Sequence, residues 1–580
     1  MNIVVKCLSI GFLINFIIII FISKNMKKKL LLILFVFLNY ASSFSQAPSW
    51  SWFKGIAGST GSSNDRGVSL ATDLNGNVFI TGHFGSPTIT LGTTVLSNSN
   101  TNSNDTFVAK YSSTGNLIWA KSFGGPYNDD PTSIATDSSG NLIVVGNFTS
   151  PTMTIGTTTL TNPGIATTYG NDIYMIKYNT SGNVIWANKA GGASDDQCTS
   201  VRVSQNDDIL LTGYYQSSIC NFGTSSLTNI GSSDIFIAKY NSTGSILWTK
   251  KIGGTSSEEA NCITTDLNNN IYITGDFSSA AMSDGVNTLS NTGVKSMFLI
   301  KYDASGNFNW SKKWSGSSLN RGVGVATDSA GNVVCVGNYG DTSINFDGII
   351  LNCMYVSSAL VKYDSNGTIM WAKTCSDGKY STSSIAIDSQ GSSYISGTSI
   401  CPQIHFGNTF MNNSGSNDST ITKYDSNGNE VWGKMVGGAS DEYGAKTVLD
   451  QNNNAFLLGS FMSNSINFGI GTLNNAGTGS NSNQIFFSKL DTSLSTETFE
   501  NGLDLTLFPN PIESYATLIF SEELDNPELK LFDITGKEIR HYSFTGREIT
   551  FEKENLTPGF YFIKVNTRDG KSITKKITIK

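Results

Sequence analysis

The stretch DSTITKYDSNGNEVWGKMV, Asp418 to Val436, consists of two short apolar runs around a polar turn that ends in Gly. It recurs along the chain. KYSSTGNLIW ends at Trp119, KYNTSGNVIW at Trp186, KYNSTGSILW at Trp248, KYDASGNFNW at Trp310 and KYDSNGTIMW at Trp371. Together with Trp432, these tryptophans follow one another at intervals of 61 to 67 residues. Two apolar runs flanking a short Gly-containing turn read as a β-hairpin, because Gly accepts the positive φ that such turns require. A fixed period means an array of one supersecondary unit, each copy burying its apolar face against its neighbours.

Upstream of each hairpin lies a second pair of apolar runs. It reads SLATDLNGNVFITGHF at Ser69 to Phe84, SIATDSSGNLIVVGNF at Ser133 to Phe148, CITTDLNNNIYITGDF at Cys262 to Phe277 and GVATDSAGNVVCVGNY at Gly324 to Tyr339. Looser copies occupy Ile385 to Thr398 and Val448 to Phe461, and the third copy, Val201 to Tyr215, has Ser204 in place of the Asp. Two hairpins make four strands per unit. The variable segment between them, with an I-x-F-G flavour at Ile344, Ile404 and Ile466, reads as a protruding hairpin or loop.

Lys-Tyr strands end at Tyr111, Tyr178, Tyr240, Tyr302, Tyr363 and Tyr424, and a seventh, IFFSKLD, ends at Asp491. Six are followed by a tryptophan strand, whereas the seventh runs into the polar segment DTSLSTETFENG. The missing strand matches WSWFK at Trp50 to Lys54. The count predicts an all-β seven-bladed β-propeller over residues 47–490, closed by an N-terminal strand that places Trp52 where the other blades carry their tryptophan, so that no open sheet edge remains.

Residues 1–46 form a leader. Met26 to Lys29, the apolar Leu30 to Leu38 and the small residues from Ala41 to Ser45 make a secretory signal peptide over 26–45. Residues 1–25 carry their own apolar run, Ile10 to Ile22, and read as an over-extended start upstream of Met26 or as an N-terminal membrane helix.

The chain has 580 residues, 39% of them hydrophobic and 14% charged, with 58 Gly and only 11 Pro, so its turns are made by Gly, Asn, Ser and Asp. The leader holds five Lys and no acid, leaving 33 basic and 45 acidic residues beyond it. Such a balance argues against a nucleic-acid partner. Cys198, Cys220, Cys262, Cys335, Cys353, Cys375 and Cys401 face an oxidising compartment without the CxxC spacing of a metal or redox site.

Only His83, His405 and His541 are available, so a His-based metal site or catalytic triad has few possible members, and neither catalytic residues nor a metal or cofactor is expected. Acids recur after the Gly pair at Asp65, Asp129 and Asp130, Asp195 and Asp196, Glu258 and Glu259, and Asp441 and Glu442, with Asp65, Asp129, Asp195, Glu258 and Asp441 taken as the recurring position. They read either as an acidic face for a cation or basic ligand, or as carboxylates accepting backbone N–H bonds in turns. Asp73 to Asn77 lacks the spacing and closing Glu of a calcium loop.

The pattern GG-x-S-x-D, A-T-D-x-x-G-N, F-x-x-K-Y-x-x-x-G-N-x-x-W resembles the bacterial seven-bladed β-propeller repeat family. Beyond a linker at 491–504, residues 505–580 change texture to short alternating strands, which predict a small β-sandwich. Its Leu507-Phe508-Pro509-Asn510-Pro511, Leu531 to Lys537 with Asp533 and Gly536, Pro558 to Val565 with Gly559 and Tyr561, and the terminal Lys575 to Lys580 resemble the type A C-terminal sorting domain of the type IX secretion system. That resemblance implies export through the periplasm to the outer-membrane surface or the medium of a member of the Bacteroidota, with the secretion machinery as partner. The expected function is a monomeric binding or adhesion propeller for an extracellular glycan or protein; the alternative is a polysaccharide hydrolase or lyase using channel carboxylates.

Overall fold

The computed structural model describes residues 47–59, 64–162, 170–316, 318–352, 357–375, 379–406, 409–476, 482–491, 505–533, 537–568 and 571–580. The leader, most of the linker, Cys353 and Gly536 lie outside these residues. All regular structure among them is β-strand.

Six four-stranded antiparallel sheets follow in chain order, each built from two consecutive hairpins. The first contains Arg66–Thr72, Val78–Phe84, Asp105–Tyr111 and Leu117–Phe123, and the sixth ends with Glu430–Val436. A seventh sheet holds Glu442–Leu449, Ala455–Phe461 and Gln484–Leu490, and its fourth strand is Trp50–Gly58 from the other end of the array. Trp52 lies opposite Lys489 and Ile56 opposite Ile485, so Gln484–Leu490 is an interior strand. The N-terminal strand is longer than the motif implied, and Ala57 and Gly58 continue into pairing with Thr90 and Ile89.

In every sheet the second and third strands are wholly or almost wholly buried, as Leu142–Phe148 and Asp172–Tyr178 illustrate, so they are near-continuous apolar runs. The first strand carries a β-bulge at the same place in each copy, between Gly67 and Ser69 in the first sheet and between Pro131 and Ser133 in the second. The bulge frees a serine for the next sheet: Ser69 Oγ accepts the Ile134 N–H, Ser133 Oγ that of Val201 and Ser200 Oγ that of Ile263. The last and first sheets are joined too, by Thr72 Oγ1 donating to the Leu449 carbonyl at 2.9 Å.

Each tryptophan lies across a glycine in the next sheet's turn. Gly115 and Gly182 adopt φ +80° and +79°, and a Cβ there would sit 3.0 Å from the Trp52 ring and 2.8 Å from the Trp119 ring. Only Gly combines that conformation with that approach. Trp52 is half-buried, packed edge-on against Phe487. The variable segment forms a two-stranded ribbon in each unit, such as Ser343–Phe346 with Ile349–Asn352.

The C-terminal residues form one five-stranded sheet. One long strand, Tyr515–Phe532, spans what the alternating pattern reads as more than one short strand; its pairing is irregular near Leu524 and Glu528, and Leu518 and Leu531 share a core with Ile563 and Ile577.

Candidate functional site

Two constellations recur at the sheet junctions, and the first is an ion pair. Asp73 turns its Oδ1 to the Asn75 and Asn77 N–H groups, at 3.0 and 2.9 Å, and its Oδ2 to Lys110 Nζ at 3.2 Å. Asp137–Lys177, Asp328–Lys362 and Asp388–Lys423 repeat it at 2.8, 2.9 and 3.0 Å. Burial alone would raise the Asp137 and Asp328 carboxyls, but the lysine and asparagine bonds together hold them below their ordinary value. In the third copy Ser204 Oγ accepts the turn N–H bonds and Asp208 supplies the carboxylate, 2.9 Å from Lys239. One lost residue is thus replaced by two that divide its work. The turn at Asp73 is a hairpin turn of this kind.

The second constellation absorbs most of the proposed acidic face. Asp65, Asp129 and Glu258 are fully buried, not aligned on a surface. Asp129 Oδ2 accepts Gly125 N–H at 2.6 Å and Ser150 Oγ at 2.7 Å, while Asp65 takes Ser86 Oγ at 2.7 Å. Glu258 takes Gly254 N–H at 2.6 Å. Asp195 and Asp441 are one residue out of register: the buried equivalents are Asp196 and Glu442, bonded to Ser217 Oγ and Gly438 N–H. Asp195 and Asp441 instead accept bonds from Asn171 and Asn417 at 2.6 and 2.7 Å.

Beside four of these buried acids lies a second, at the start of a third strand: Asp105, Asp172, Asp234 and Asp418. Burial, with a smaller contribution from the neighbouring carboxylate, raises Asp129 to about 7, Asp196 to about 6 and Glu442 to about 7. The third-strand acids went unread in the sequence, although their signal is there, an Asp five residues before the Lys-Tyr lysine in four copies.

The buried position is an acid in five copies, Asn320 in the fifth sheet and Tyr380 in the sixth, and the residue after it differs between neighbouring copies. Opposite the end of the second strand stand Arg66 and His83, Asp130 and Asn147, Gln197 and Tyr214, Glu259 and Asp276, Arg321 and Asn338, Ser381 and Thr398, and Tyr443 and Ser460. Neighbouring pairs touch. His83 Nδ1 lies 3.0 Å from Asp130 Oδ1, Arg66 stacks over the Tyr443 ring at 5.0 Å, and Arg321 reaches Asp276 at 3.4 Å and Asn261 Oδ1 at 2.6 Å. The Tyr214 hydroxyl is raised by burial and then by Asp195 and Glu259. Chemically this end offers varied hydrogen-bond donors, acceptors and both charges. Among the described residues no group of three or more His, Cys, Asp or Glu is placed to hold a metal ion. Cys198, Cys220, Cys262, Cys335, Cys375 and Cys401 are unbridged.

In the C-terminal sheet, Asn510 Oδ1 accepts the Thr578 N–H at 2.9 Å, tying exposed Pro509 to Pro511 onto the last strand, Ser572–Ile579. Asp533 Oδ1 accepts the Lys537 N–H, and the Tyr561 hydroxyl donates to the Thr557 carbonyl at 3.1 Å. Gly559 opens the strand Gly559–Asn566.

Comparison with other proteins divides the chain in two. Over 337 residues, 48% of this chain, it is 28% identical to an uncharacterized WD repeat-containing protein of Acanthamoeba polyphaga mimivirus, of which it spans only 24%. Among solved structures it is similar to the polysaccharide lyase Uly1, with 12% identity, TM-score 0.39 and coverage of 78% of this chain and 94% of that one. It is also similar to PorZ, a surface component of the type IX secretion system of Porphyromonas gingivalis, with 10% identity, TM-score 0.20 and coverage of 92% and 86%. The profile of the secretion system C-terminal sorting domain matches residues 506–580. That C-terminal segment is therefore a sorting domain, and the chain that carries it is an all-β repeat protein exported by type IX secretion to the cell surface or the extracellular space.

Proposed function

We propose that this protein is a secreted binding propeller: seven blades over residues 47–490, closed by Trp50–Gly58, delivered by the 505–580 domain across the 491–504 linker after a leader of residues 1–46 is removed. The ligand-binding end is the one that carries Arg66, Asp130, Gln197, Glu259, Arg321, Ser381 and Tyr443. One observation carries this reading. At this register position no two neighbouring copies share a residue type, and the same holds for its partners on the second strand, whereas the Lys-Tyr pair and the tryptophan that follows it recur in six copies. Packing has no use for such diversity, whereas recognition of an asymmetric ligand does. The buried carboxyl pairs, being closed to solvent, favour binding over the alternative of catalysis by channel carboxylates.

The test is an array of extracellular matrix proteins and glycans probed with the purified secreted chain and with an Arg66→Gln, Tyr443→Ala double variant. Retention of a ligand by the parent and its loss in the variant is the expected result. A ligand held equally by both, or hydrolysis of a glycan by the parent, overturns the reading.

A further inference from the structure

A cavity of about 590 Å³ opens between the fourth and fifth sheets, at the opposite end of the strands from the varied position. Two departures from the repeat meet at this place. In five sheets the Lys-Tyr lysine is held by an aspartate of the first hairpin. In the fourth, Tyr272 donates its hydroxyl to Asp266 Oδ2 at 3.2 Å, and Lys301 Nζ makes the bond to the next sheet's turn, the Ser365 carbonyl at 2.8 Å, that Lys177, Lys239 and Lys362 make beside their ion pairs. A tyrosine also stands in the sixth sheet, but there Tyr394 accepts a bond from Lys423 and the ion pair with Asp388 survives. The seventh sheet lacks the pair as well, with Lys489 lying over Phe456 instead.

The second departure is Asn309. The residue before the tryptophan is an exposed apolar side chain in four copies, Ile118, Ile185, Leu247 and Met370, each about half exposed. In the fourth sheet it is Asn309, on the cavity wall. Asn268, Asn309 and Asn366 line this space and are exposed. A carboxamide presents a donor and an acceptor side by side, the arrangement that meets a pair of adjacent hydroxyls. Trp310 and Phe308 supply ring surface for the C–H faces between hydroxyls, and the Lys301 ammonium has donors to spare.

We infer that this cavity is a saccharide-binding site, framed by Asn268, Asn309, Asn366 and Lys301 and floored by Trp310. The site is separate from the proposed recognition end and stands or falls without it. The seventh sheet shares the broken lysine pair and carries the polar Ser51 before Trp52, so what sets the fourth apart is the amide of Asn309 on the wall of this cavity.

The experiment uses the full secreted chain on an array of neutral and uronic-acid oligosaccharides, followed by saturation-transfer NMR with the retained sugar. Asn309→Ile introduces the residue that two other copies already carry there and leaves the fold unaffected; Tyr272→Phe frees Asp266 to recapture Lys301. Each is expected to weaken binding at least tenfold with an unchanged melting temperature, while Arg66→Gln leaves it intact. Failure of the parent to retain any saccharide overturns the inference, and so does equal binding by Asn309→Ile. Loss of binding in Arg66→Gln alone would move the saccharide to the other end of the strands and overturn it equally.

Discussion

Trp52 and Lys489, facing each other across a strand pair built from the two ends of the array, both donate to one carbonyl, that of Ser113 in the first sheet, at 3.4 and 3.5 Å. The same arrangement joins sheets that are consecutive in the chain. Lys177 and Trp186 share the Ser242 carbonyl, Lys301 and Trp310 that of Ser365, and Lys362 and Trp371 that of Ser426. The junction between the last and first sheets therefore uses the same parts as those formed by neighbouring segments.

Trp52→Ala removes a half-buried ring that packs on Phe487 and covers Gly115. A destabilisation of about 2–4 kcal/mol is expected, below the range for a fully buried tryptophan. Deleting residues 47–58 should cost more, since it also exposes the edge of Gln484–Leu490. Urea unfolding of the secreted chain measures both, and a deletion no more harmful than the point variant contradicts the account.

The divided replacement at Ser204 and Asp208 makes a rescue prediction. Asp208→Asn leaves Lys239, largely buried, without its carboxylate 2.9 Å away and should destabilise by about 3 kcal/mol. Adding Ser204→Asp restores the arrangement of Asp73 and Asp137 and should recover most of that loss. Additive effects of the two changes would show that the positions do not share one role.

The carboxyl pairs predict a pH dependence of definite sign. Asp129 and Glu442 at about 7 and Asp196 at about 6 are raised above their unfolded values, so the folded chain binds more protons than the unfolded one. Their contribution is complete below the unfolded carboxyl range near pH 4 and is lost as pH rises towards 7. Asp137 and Asp328 are depressed and act in the opposite sense, losing theirs only as pH falls below that range. Melting temperature should fall between pH 5 and about 7.5, less steeply in Asp129→Asn. A melting temperature rising over this interval would count against protonated pairs.

Removing residues 506–580 takes away the sorting domain. The truncated protein should accumulate in the periplasm, with its repeat array still protease-resistant. Cell fractionation with an antibody against the array measures this, and undiminished display at the surface would be incompatible with it.

Much of this was open to reading because the repeat is its own alignment. The hairpins, their tryptophans and the partner of the N-terminal strand follow from counting like segments. The acids were harder. Asp195 and Asp441 stand three residues after the second Gly, whereas Asp129 and Glu258 stand four after it, the register of Asp196 and Glu442, so a count from the Gly pair separates them, while their burial shows only in the folded backbone. The third-strand acids pair with the next unit's carboxylate, a relation between units that no single copy displays. In the C-terminal segment polar residues such as Ser521 and Asp525 interrupt the pattern of one long strand, so it reads as two.

The strand Trp50–Gly58 is synthesised first among the parts of the array, and its partner Gln484–Leu490 last. In the meantime only its end, Ala57 and Gly58, has a partner close in sequence, at Thr90 and Ile89, so the seventh sheet registers whether the whole array has been made. A chain cut short before residue 484 presents an unpaired apolar strand at its N-terminus, the feature that proteases and chaperones recognise in unfinished proteins. Completion of the chain is thus recorded in a single strand pairing of high contact order, which cannot form before the array's final segment exists.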